Sequence, residues 1–245
     1  MWREGVFDLN TADHSSYNAE FDTPVAGHTG RSWGFSDKKT PDSGDASEAA
    51  TAVFVSWKSD DPTEWLAAGY WMELTFEGST ETIKAGRTGA FVKGPELASR
   101  HPASPMPTEG EATYSGFAGG ILAYGNPSAT VEVSEVLGTV EFTVTFEPDE
   151  VAIEGAISGL RPGLELTLER SGALQTGEIS QHFVTPLING EEPETVNQSR
   201  WTGWFSTTTD DGGVPRLLAG TAGADWEEDD GTKGSFLGAF IATKQ

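Results

Sequence analysis

Cysteine is absent from this sequence, which removes disulfides, thiolate metal sites and thiol nucleophiles together. It also removes a cysteine-borne lipid anchor within these residues. Basic residues are scarce: 15 Lys and Arg stand against 38 Asp and Glu, for a formal charge of −23. Such a surface repels phosphate backbones and anionic headgroups, so nucleic-acid and membrane-surface binding are set aside. A partner steered by charge would be cationic, and in itself the acid also serves solubility. No run approaches 18 apolar residues, so no helix is expected to insert into a membrane. The start, Met1-Trp2-Arg3-Glu4-Gly5, has no apolar leader core. Residence outside the cell would therefore follow removal of a leader, and the other placement is the cytosol.

Catalytic patterns are missing as well. No Gly-x-Ser-x-Gly elbow occurs, and His14, His28, His101 and His182 form no His-x-x-x-His pair. The carboxylate pairs Asp60-Asp61 and Asp210-Asp211 sit at turn signals, where solvation rather than acid–base work is expected. Thr209–Gly213 and Glu227–Gly231 gather oxygens that suit Ca2+, but neither follows the alternating EF-hand pattern, and Asp-Gly is itself a turn signal. No catalytic residue, no metal site and no enzyme activity are expected.

What the chain does have is rings and glycines: 8 Trp, 13 Phe and 30 Gly. The rings supply enough apolar volume for a core. Residues 1–50 are polar and punctuated by Pro24, Gly27, Gly30, Pro41 and Gly44, and read as loops with one short strand around Trp33-Gly34-Phe35. Thr51–Trp57 reads as a strand with Val53, Val55 and Trp57 on one face. After a turn at Asp60–Thr63, Glu64–Phe76 admits a helical spacing (Trp65, Ala68, Met72), but its aromatic density and Gly69 favour a strand. Gly89–Val92 closes this part. Pro95, Pro102, Pro105 and Pro107 then mark a linker over 93–107, and the domain boundary falls there: 1–107 and 108–245.

From 112 onward the strands recur regularly, about eight in all. Val140, Phe142, Val144 and Phe146 alternate with polar residues, as do Leu164, Leu166 and Leu168. Ile179 and Phe183 are expected on one side of the next strand, with Ser180 and His182 opposite. A polar loop is expected from Asn189 to Asn197, before Trp201–Phe205. The last strand is apolar on both faces: Phe236, Gly238 and Phe240 on one, Leu237, Ala239 and Ile241 on the other. One face suits a barrel interior; the other needs a cover, which residues 1–107 can supply. Glycines inside strands, such as Gly203 and Gly238, are expected to bend the barrel or make room for rings. The fold class is thus all-β: a C-terminal eight-stranded antiparallel barrel with a small strand-and-loop region packed against it. Eight strands enclose a space that side chains fill, so no interior ligand cavity is expected.

Four motifs in order carry a family resemblance. Gly110-Glu111-Ala112-Thr113-Tyr114-Ser115-Gly116, Ile153–Leu160, Gly203-Trp204-Phe205 with Ala219–Ala222, and Gly234–Phe240 resemble the barrel of transferrin-binding protein B lobes and related bacterial surface proteins. The resemblance covers roughly 108–244. It implies that residues 1–107 stand where that family carries its "handle". It also implies a binding protein, extracellular or at the bacterial cell surface, that captures a host protein, haem or another ligand. The chain departs from the family in lacking the anchoring cysteine and in being one handle-plus-barrel unit. Trp57, Trp65, Tyr70 and Trp71 are the candidate ligand-binding residues, as aromatic anchors or stacking platforms, against the alternative that they form the handle's own core. His14 and His28 are the candidates for a haem ligand; no other cofactor is expected. The competing function is a structural subunit of an extracellular or viral assembly that uses the barrel as a rigid block.

Overall fold

The computed structural model describes residues 17–21, 28–37, 46–58, 65–77, 82–93, 106–173 and 177–245. The described chain is all-β. Strands β1 (Tyr17–Phe21), β2 (His28–Asp37), β3 (Ala46–Lys58), β4 (Trp65–Glu77) and β5 (Thr82–Lys93) form one antiparallel sheet in sequence order. Strands β6 (Gly110–Asn126), β7 (Thr130–Phe146), β8 (Val151–Arg161), β9 (Leu164–Arg170), β10 (Glu178–Ile188), β11 (Thr195–Phe205), β12 (Leu217–Glu227) and β13 (Lys233–Lys244) follow one another around a closed barrel. Antiparallel pairing of β13 with β6 closes it, from Lys233↔Gly125 to Lys244↔Tyr114.

Three details differ from the sequence expectation. Residues 1–50 contribute β1, β2 and the start of β3 rather than loops with one strand. Strand β2 has weak local propensity, with Gly30, Ser32 and Gly34, but all ten of its residues pair with β3, so the neighbour imposes the conformation. Phe183 does not share the face of Ile179: the register shifts between Ile179 and His182, and the bulge turns Phe183 outward, 71% exposed, while Ile179 is buried. The polar loop after Asn189 is shorter than expected, because β11 already begins at Thr195. The Asp60–Thr63 turn and the prolines at 95, 102 and 105 lie outside the described residues.

The alternating residues of the barrel strands fill its interior. Phe142 lies 5.2 Å from Phe240 and 6.0 Å from Trp201, and Trp201 lies 6.2 Å from Phe240, all tilted. Such pairs add about 0.5–1.5 kcal/mol each beyond their buried area. Glycines make the room. A Cβ at Gly155 would meet the Phe142 ring at 2.1 Å, one at Gly220 the Phe240 ring at 2.5 Å, and one at Gly234 the Trp226 ring at 2.0 Å. The expectation that strand glycines accommodate rings holds at these positions. One mouth is closed by Tyr114, Phe146 and Phe205, with the Tyr114 hydroxyl donating to the Pro215 carbonyl at 2.8 Å. Arg170 plugs the same end, donating to the Val151 and Ala173 carbonyls at 2.6 Å each.

The outer face of β12, β13 and β6 is apolar too. Phe117, Leu217, Ala219, Ala239 and Ile241 are buried there against Ala68 of β4, with Ala90 and Val92 of β5 at the margin. The two-faced last strand is therefore covered on both sides, by the barrel core within and by the handle sheet outside. Small residues at 68, 90, 219 and 239 let the two layers approach closely.

Candidate functional site

The expected ligand-binding residues divide between the two faces of the handle sheet. Tyr70 pairs with Val53 and Ala90, and Trp57 pairs with Leu66 and His28. By alternation these positions share the face of Ala68, which packs on the barrel. Trp71 pairs with Ala52 and Gly89, and Trp65 with Lys58, which places both on the opposite face. Trp57 and Tyr70 thus stand at positions of one face of the sheet, and Trp65 and Trp71 at positions of the other. Tyr70 is 2% exposed. Burial, and secondarily the nearby Glu135 carboxylate, push its hydroxyl far above the ordinary range. Tyr70 is thus a neutral phenol packed at the seam, close to β7. His14 lies outside the described residues; His28 stands at the first position of β2.

Among the described residues, exposed apolar surface concentrates in the first half of β7, which none of the sequence candidates includes. Strand β7 pairs with β6 along its whole length, from Asn126↔Thr130 to Gly110↔Phe146. Its pairing with β8 covers only Thr139↔Ser158 to Phe146↔Val151. Residues 130–137 therefore have a strand on one side and, among the described residues, none on the other. The cause lies in β8. After Ile157 its register with β9 shifts, and the strand turns away toward the Arg161↔Leu164 hairpin. Gly159 adopts φ 78° there, a left-handed conformation suited to glycine.

Along this open edge the outward residues are Val131, Val133, Glu135 and Leu137. The three apolar ones are 44%, 52% and 41% exposed. The inward residues Val136 and Gly138 join the barrel interior, so the free segment is anchored at its inner end. Partial burial near the handle holds the Glu135 carboxyl above its ordinary value. The alternation Val-Glu-Val-Ser-Glu-Val-Leu over 131–137 is a strand signal in the sequence; what the sequence could not show is that β8 stops pairing before reaching it.

At the same end of the barrel the Arg161 guanidinium stacks on the Tyr124 ring at 3.3 Å, and the Tyr124 hydroxyl donates to Glu228 at 2.6 Å. Beside Arg161 an open hollow of about 540 Å3 runs between two turns, lined by Ser158, Pro162, Gly163, Leu187, Asn189 and Gly190. The acidic turns are built from their own backbone. Asp210 accepts from the Gly212 and Val214 amides and pairs with Lys244, and Asp230 accepts from the Thr232 amide. Among the described residues, no three His, Asp or Glu side chains gather at a metal-binding spacing. Comparison with protein-family models, with curated proteins and with solved structures finds no match to this chain.

Proposed function

We propose that this chain is a non-catalytic binding protein, secreted or held at a bacterial cell surface, that captures a protein ligand with the outer surface of its barrel and handle. The observation that carries the reading is the exposed stripe of Val131, Val133 and Leu137 beside a strand edge that no described strand pairs with. Exposed apolar area of this kind, next to backbone groups that still need partners, is the ordinary raw material of a protein interface. The filled interior supports an outside site, since ring and aliphatic side chains occupy the space that a small ligand would need. The resemblance of the barrel motifs to transferrin-binding protein B lobes points the same way. On this reading a haem ligand would be taken outside the barrel, with His14 and His28 the candidate ligands from the sequence.

The same edge favours one other reading, a structural subunit whose copies join through β7. A charge of −23 on each copy opposes it. Size-exclusion chromatography with light scattering, run with and without haem, separates these readings. A monomer whose elution and absorbance ignore haem is expected. A Soret shift on mixing would make the ligand a small molecule, and a large regular oligomer would overturn the capture reading.

A further inference from the structure

We infer that the open edge of β7, residues 130–137, receives one additional strand from a cationic partner whose sequence alternates apolar and basic residues. The inference rests on the capture reading and specifies its partner. Eight residues of strand span about 26 Å, enough for a ladder of backbone bonds along the free side. An added strand places alternate side chains on the two faces of the sheet. On the outer face they meet Val131, Val133, Glu135 and Leu137; on the other they meet Glu132 and Ser134.

Charge decides what kind of strand this is. From Gly110 to Arg170 the basic residues are Arg161 and Arg170 only. Arg161 is stacked on Tyr124, and Arg170 is buried at the opposite mouth. The outer face of β7, β8 and β9 carries Glu135, Glu141, Glu154, Glu165 and Glu169. A second copy of this chain would bring Glu132 and Glu135 against the same residues, so like charge disfavours self-pairing. A strand alternating apolar and basic residues meets both requirements: its apolar residues cover the valine stripe on the outer face, and its cations fall on the other face beside Glu132, within a surface of net negative charge.

The test uses the full chain and a fluorescein-labelled peptide of eight to ten residues alternating valine and lysine. Fluorescence anisotropy reads binding, and hydrogen exchange reads its location. Saturable binding with slowed exchange confined to 130–137 is expected. A peptide with glutamate in place of lysine, and one N-methylated at every second residue to remove the donors of one edge, should each bind at least about tenfold more weakly. The V131T/V133T chain, which keeps strand propensity and loses apolar surface, should also bind about tenfold more weakly. Equal binding of the N-methylated peptide, or binding without protection at 130–137, would overturn the inference, since general attraction to an acidic surface explains both. A folded monomer that ignores the alternating peptide also overturns it, leaving the capture reading in place with the handle as the surface to examine. A peptide-free chain found as a large oligomer, with 130–137 already protected, sinks both.

Discussion

Gly234 faces Trp226 across the β12–β13 pair, and the fit between them offers the sharpest check on how the barrel core is built. A Cβ at 234 would lie 2.0, 2.1 and 2.7 Å from its three nearest atoms, all of them in the Trp226 ring. Ordinary carbon contacts are about 3.5–4.0 Å, so the ring must retreat by roughly 1.5 Å in a space without slack. Overpacking of this kind costs about 1–3 kcal/mol, less the few tenths to 1 kcal/mol that Gly→Ala contributes by restricting the unfolded chain. Trp226→Leu alone opens a cavity and costs about 2–4 kcal/mol. No hydrogen bond among the described residues is lost with the ring, because none of them partners Trp226 Nε1. In the double variant the methyl group enters space the ring has left, so the summed cost should fall short of additivity by about 1–2 kcal/mol. Urea unfolding of the wild type, both single variants and the double variant, with unchanged m-values, measures this directly. Gly220 is the control. Its Cβ would meet the Thr202 backbone carbonyl at 2.1 Å as well as the Phe240 ring, so Phe240→Leu should not rescue Gly220→Ala. An additive Gly234–Trp226 cycle, or a neutral Gly234→Ala, would refute the ring-over-glycine account.

Further expectations follow from single contacts. Tyr114→Phe removes the donor to the buried Pro215 carbonyl and should cost about 1–3 kcal/mol in chemical denaturation, with no change in fold by circular dichroism. Asp210 is held below its ordinary value of 3.8, first by the Lys244 side chain and then by the Val214 amide. A depressed carboxyl stabilises the fold above its unfolded value and loses that contribution as pH falls through the folded one. Asp210→Asn should therefore lower the unfolding midpoint at pH 7 and make progressively less difference below about pH 4, and a pH-independent gap would contradict it. Glu135 has the opposite sign: its raised value means the ionised form is disfavoured in the fold, so Glu135→Gln should stabilise at neutral pH, with the gain vanishing in acid. Ala239→Glu puts a charge into the buried layer between the handle and the barrel. It should lower the melting temperature and expose the handle to limited proteolysis before the barrel unfolds.

The barrel was legible in the sequence because its strands need one dry face and announce it by alternation, as at Val140–Phe146 and Leu164–Leu168. The last strand was legible in more detail, since two apolar faces require two covers, and Phe240 and Ile241 have them. The handle was harder. Strand β2 is glycine- and serine-rich, and its conformation is set by pairing with β3 rather than by its own residues. Phe183 breaks the alternation expected of it because a bulge shifts the register by one, and nothing in Ser180-Gln181-His182 signals that bulge. The candidate site was the least legible part. The alternation of Val131–Leu137 is visible, but whether such a strand is covered depends on where β8 stops, and that follows from Gly159 and the Arg161 hairpin together. Tyr70 is readable from the sequence either as a binding aromatic or as part of the handle's own core, and in the fold it is buried at the seam.

Among the described residues, the outer edge of β7 has no neighbouring strand along 130–137 and is paired with β8 from Thr139 onward, and the proposed site depends on this condition. Residue-resolved hydrogen exchange on the free, monomeric chain tests it. Every second amide over 130–137 should exchange orders of magnitude faster than the amides of 139–146 in the same strand, because only the latter segment has partners on both sides. Uniform protection along the whole of β7 would show that another segment or another copy already occupies the edge, and would contradict the proposed site.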